Sequence, residues 1–145
     1  MSERSAKQAT SLRLRSDLLG ALKRRAQETG IPASALYERF LEEGLRHDVH
    51  PLIVFREGAG GRRPTLVGTR LDVGHVIDTI AATDAKGSAA IEEVAEYLGL
   101  PAGHVRACVS YYADYKDDVD AWRERMHLIA EREREAWTRE QAVLA

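Results

Sequence analysis

The 145 residues predict a mainly α protein with short β elements. Three observations predict it. Alternation over Thr10–Arg15 gives way to helical spacing, glycines at 58, 60 and 61 separate two short strand-like runs, and Tyr111–Leu144 contains neither proline nor glycine. The expected segments are 1–47, 48–118 and a terminal helix over 119–145. Hydrophobic residues make up 44% of the chain and charged residues 30%, enough apolar surface to fold. No run approaches the roughly 20 apolar residues of a membrane span. The polar start, Met1–Thr10, predicts no secretory leader. One cysteine, Cys108, excludes an internal disulfide and a multi-thiolate metal site, and the expected compartment is the cytoplasm. The net charge of -2 is unevenly spread. Met1–Ser16 carries four bases against Glu3, and Asp114–Ala145 carries six bases against nine acids, so the two ends suit different partners.

In the first segment Leu12 and Leu14 point one way and Ser11, Arg13 and Arg15 the other, the period of a half-buried strand. Ser16-Asp17 offers N-cap chemistry to a helix carrying Leu18, Leu19, Leu22 and Ala26. Gly30 ends that helix, and Pro32 suits the first turn of another, with Leu36, Phe40, Leu41 and Leu45 on its apolar face. A lone strand leaves its edges unpaired, and about 40 residues are too few for an independent core. Two chains pairing their strands remove both problems and present Ser11, Arg13 and Arg15 on a two-stranded ribbon, which fits the major groove of DNA.

This run, SLRLRSDLLGALKRRAQETGIPASALYERFLEEGLR, resembles the Arc/MetJ/CopG ribbon-helix-helix family. The resemblance implies a homodimer that reads bases through Ser11, Arg13 and Arg15. It also implies a phosphate held at the start of the second helix by Ala33 and Ser34, since Pro32 has no N–H. Arg15 stands where relatives often carry proline or a small polar residue.

His47–Pro51 reads as a linker. Leu52–Phe55 and Arg62–Val67 read as the strands of a hairpin with Arg62 and Arg63 on a flexible tip. The glycines between them lack the Gly-Lys-Ser/Thr ending of a phosphate-binding loop. Asp72 is placed to cap a helix with Val73, Val76, Ile77 and Ile80 on one face. Ala89–Leu98, the turn Gly99-Leu100-Pro101 and a helix through Val105, Cys108, Val109 and Tyr112 then give a helix-turn-helix pattern. Its second helix starts with His104 and Arg106, weak equipment for DNA, so a structural or protein-contact role is expected. The stretch from His50 to Trp122, marked by Gly68-Thr69-Arg70 and Tyr111-Tyr112-Ala113-Asp114-Tyr115, resembles a domain of unknown function found in VapB-type antitoxins. That resemblance implies a small winged-helix-like module and a PIN-like ribonuclease toxin as partner.

In the terminal helix Val119, Trp122, Met126, Ile129, Glu133, Ala136, Glu140 and Val143 step by alternate threes and fours. So narrow a stripe on so long a helix is expected to dock in a groove of another protein, with Trp122 and Trp137 as anchors and Met126 and Ile129 beside them, or to pack on its own domain or a second copy. Arg123, Arg125 and Arg132 are candidates to reach the carboxylates of a toxin. No catalytic residue, metal site or cofactor is expected. His47 and His50 have no third ligand at metal spacing, and Cys108 falls on an apolar face. The expected function is that of a type II antitoxin that binds its toxin and represses its own operon. The alternative is a stand-alone repressor whose second domain oligomerises or senses a ligand.

Overall fold

The computed structural model describes residues 6–145; Glu3 and Arg4, counted in the basic start, lie outside them. The protein is mainly helical with one two-stranded antiparallel sheet, and it divides into two units, Met1–Val49 and His50–Ala145.

The first unit holds α1 (Ser16–Thr29) and α2 (Ala33–Val49). Ser16 lies within α1 rather than capping it: Arg15 occupies the cap position, without a side-chain hydrogen bond, and its carbonyl accepts from Leu19 N at 3.0 Å. Gly30 ends α1 at φ 69°, a left-handed geometry that favours glycine, and its N–H donates to the Ala26 carbonyl. Pro32 then supplies the carbonyl that accepts from Leu36 N. Helix α2 runs on through His47 to Val49, where the sequence predicts a linker. Nothing before Pro51 breaks it. Residues 6–15 form no strand in the single chain. A strand needs a neighbour to take its N–H and carbonyl groups, and one chain offers none here.

The second unit opens with β1 (Ile53–Gly58) and β2 (Gly61–Leu66), paired from Ile53–Leu66 to Gly58–Gly61. Helices α3 (Val73–Ala82), α4 (Ser88–Leu98), α5 (Ala102–Asp114) and α6 (Lys116–Leu144) follow. Gly99 ends α4 at φ 66°, and Leu100 N donates to the Ala95 carbonyl, which makes the sharp turn into α5. The core gathers Ile53, Leu66, Val76, Val94, Val105 and Tyr111, among others, from the sheet and from α3, α4 and α5.

Between α5 and the terminal helix the chain turns at Tyr115, at φ -129° and ψ 41°. No glycine or proline marks the place. The break lets α6 turn back, so that Val119 and Trp122 are buried in this unit. The terminal helix is therefore not a separate segment from residue 119: its first turns belong to the core. Glycine makes room for them. A Cβ on Gly74 would lie 2.5 Å from the Trp122 ring, and one on Gly60 would lie 2.8 Å from Met126 Sδ. The hairpin tip and α3 both approach α6 through residues without side chains.

Substituting Gly74 by alanine adds a methyl where the indole sits. Overpacking of about 1–3 kcal/mol outweighs the roughly 1 kcal/mol that alanine brings to a helix. Gly74→Ala is expected to lower the urea midpoint; a raised midpoint would show that the ring gives way freely.

Candidate nucleic-acid and partner interfaces

In the first unit the residues expected to meet DNA lie on the surface. Ser11, Arg13 and Arg15 are exposed, Leu14 is half-buried, and Arg15 forms an ion pair with Asp17 at 3.4 Å. At the start of α2, Ser34 is exposed and Ala33 half-buried, and the first turn carries no acid to repel an anion. The apolar faces of the two helices are poorly covered. Helix α1 has no buried residue, α2 has Leu36 alone, and Leu12, Leu18, Phe40, Leu41, Leu45 and Val49 are exposed. A two-helix unit that buries one side chain among its described residues has little apolar burial to offset its chain entropy.

In the second unit Arg62 and Arg63 do not sit on a free tip. Arg62 donates to the Phe55 carbonyl at 3.2 Å, and the Arg63 guanidinium lies over Gly58 and 2.8 Å from Asp72. Asp72 occupies the cap position of α3 yet makes no side-chain cap. Its Oδ1 accepts instead from the Thr65 hydroxyl at 3.2 Å, and so ties the hairpin to the helix. Burial raises the Asp72 carboxyl above its ordinary range, opposed by Arg63. At the start of α5, Arg106 reaches Glu92 of α4 at 3.4 Å, which offsets the charge of that turn.

The residues expected to bind a toxin separate into two groups. Trp122 is 6% exposed and belongs to the core of its own unit, which removes it as a docking anchor. Arg123 is held by Asp78 at 2.7 Å and Asp120 at 2.8 Å, so it is engaged within the unit. Met126 and Ile129 are half-buried, Arg125 and Arg132 are exposed, and Trp137 is 60% exposed. Periodicity alone could not divide the stripe, because burial against one's own domain and burial against a partner ask for the same spacing.

One cluster was not foreseen. His50, read as linker, is buried; its Nε2 lies 2.8 Å from Asp114 Oδ2, and its ring meets Tyr111 and Tyr115 edge-on at 5.3 and 6.0 Å. The sequence signal was present in the Tyr-Tyr-Ala-Asp-Tyr run, whose spacing puts Tyr111, Asp114 and Tyr115 on one side of the chain. Cys108 is buried and its thiol is pushed up to about 12 by desolvation, which leaves it a packing residue. Among the described residues no group of three or more His, Cys, Asp or Glu is placed to hold a metal ion, and no helix is long and apolar enough to cross a membrane.

None of the family models, curated proteins or solved structures compared with this chain matches it.

Two outcomes follow from these contacts. His50→Ala removes a hydrogen bond to a carboxylate and two ring contacts, and is expected to cost about 2–4 kcal/mol in urea unfolding; a loss within error of zero would make the cluster incidental. Asp120 is held below its ordinary value of 3.8 first by the Lys116 hydrogen bond, against a desolvation cost, and then by Tyr112 and Arg123. A lowered carboxylate stabilises the fold above its unfolded pKa and loses that contribution as pH falls through the folded one. Asp120→Asn is expected to be less stable than wild type at pH 7, with the gap closing below pH 3.8; a gap that persists in acid would deny the linkage.

Proposed function

We propose that this chain is a type II antitoxin: a ribbon-helix-helix dimer that binds operator DNA through its first unit and captures a PIN-like ribonuclease toxin through its second. The observation that carries the reading is the first unit itself. Among the described residues it has two helices, one buried side chain and the exposed bases Lys7, Arg13 and Arg15 ahead of them. A second copy would cover the apolar faces and supply the missing strand neighbour for residues 10–15. The paired ribbon would then set Ser11, Arg13 and Arg15 against base edges, with Ala33 and Ser34 donating to a phosphate.

The exposed length of α6 supports the second half of the reading. Beyond its first turns it exposes Trp137 and the unengaged arginines Arg125 and Arg132, with Ile129 half-buried beside them. An exposed amphipathic helix of this kind lays its apolar face into a groove and is read by anchors one and two turns apart. The hairpin and helices α3–α5 form the winged-helix-like module in this reading, and serve as the rigid base from which α6 projects.

The test has two arms. In a gel shift on the chain's own promoter, Arg13→Ala is expected to weaken binding by about 1–3 kcal/mol per lost guanine contact, roughly tenfold or more for a dimer. The logarithm of the wild-type affinity should fall with that of salt by about 0.9 per phosphate contact. In co-expression with the adjoining reading frame, the wild type should co-purify with its product, and a chain ending at Ala130, which keeps Trp122 in place, should not. A normal shift by Arg13→Ala would sink the ribbon assignment. Promoter binding without any complex would leave the stand-alone repressor.

A further inference from the structure

Beyond Met126, α6 carries a face with a seven-residue repeat. Apolar pairs recur as Ile129-Ala130, Ala136-Trp137 and Val143-Leu144, and Trp137, Val143 and Leu144 are 60%, 86% and 78% exposed. Glu133 and Glu140 fall on the midline of that face. The neighbours of Glu133 one turn away are Ile129, Ala130, Ala136 and Trp137; those of Glu140 are Ala136, Trp137, Val143 and Leu144. Neither carboxylate has a cation at i±3 or i±4, where helix ion pairs form. In water this costs nothing. Under a cover it is expensive, because a buried charge needs a partner charge. Whatever covers this face must bring two cations about 10.5 Å apart, seven residues of helical rise.

The same helix carries such a pair. Arg132 and Arg139 are seven residues apart and flank the face. We propose that the distal part of α6, Ile129–Leu144, pairs antiparallel with the same segment of a second copy of this chain, each copy's Glu133 and Glu140 taking the other copy's Arg139 and Arg132. With the two-fold between Arg134 and Glu135, Met126 faces Val143 of the other copy, Ile129 faces Glu140 and Glu133 faces Ala136. Arg139 of the other copy then lies three residues, about 4.5 Å of rise, from the level of Glu133, and Arg132 stands in the same relation to Glu140. Small Ala136 opposite Glu133 leaves room for the carboxylate and for an arginine stem laid along the apolar face. A parallel pair would instead set Glu133 on Glu133 and Glu140 on Glu140, so charge selects the antiparallel order. The second copy and a toxin docked on this face exclude each other, so the pairing belongs to the toxin-free chain.

Energy transfer between labelled full-length chains tests it. Donor dye goes on Ala145→Cys and acceptor on Glu124→Cys, positions that meet in this register; buried Cys108 does not compete for dye. Mixed wild-type chains are expected to show transfer. The all-basic set Glu133→Arg with Glu140→Arg, and the all-acidic set Arg132→Glu with Arg139→Glu, should each pair about tenfold or more weakly with themselves. Basic donor chains mixed with acidic acceptor chains should recover the transfer. Equal transfer in all four mixtures, none in the wild type, or stronger transfer between two 145 labels than between 145 and 124 would each overturn the pairing.

Discussion

The second unit depends on the seat of the Trp122 ring. The indole occupies the space a side chain on Gly74 would fill, and its neighbour Met126 does the same at Gly60. One tryptophan and one methionine, a helical turn apart, therefore fix the approach of a helix and of a hairpin tip far apart in sequence. Dispersion falls away steeply when a gap opens, so a contact this close acts as a single geometric constraint. The polar contacts of α6 follow from it. With the ring seated, Arg123 lies against Asp78 of α3 and Asp120 one turn back, and His127 reaches the other oxygen of Asp78.

The two units stabilise themselves differently. The second gathers its buried side chains from a sheet and four helices, and backs them with paired polar groups such as His50–Asp114 and Thr65–Asp72. The first has one helix end closed by Gly30 and little beneath its helices. Its ion pairs, Lys7–Glu38 and Arg25–Glu28, are exposed on both sides and contribute little. Its Arg46–Glu42 pair is a local helix contact and brings no distant chain together. Helical order there is a matter of local signals, with little packing beneath it.

Much of the second unit was legible in the sequence because its signals are local. Gly99 ends a helix, apolar residues recur at helical spacing in α3–α5, and the glycines before Arg62 turn a hairpin. What escaped had no local sign. Tyr115 separates α5 from α6 although tyrosine is no breaker, and past it Val119 and Trp122 are buried in the core. His50 follows the last residue of α2 and looked like connecting chain, yet its partners lie more than 60 residues away. Trp122 and Trp137 belong to one helix and both suit an anchor, but only Trp122 is buried. Lys7, Arg13 and Arg15 ahead of α1 are on the surface, while strand pairing between chains is not a property that one chain displays.

Among its described residues the first unit buries a single side chain, so its stability would rest largely on whatever covers it. Where the cover is another molecule, folding of that half becomes a matter of mass action, and the folded fraction rises with the amount of covering chain. At low abundance α1 and α2 would open often and offer their backbone to proteases, while the half built on Trp122 stays closed. The two halves of this chain would then have different lifetimes in the same cell, and abundance itself would decide how long the first half persists.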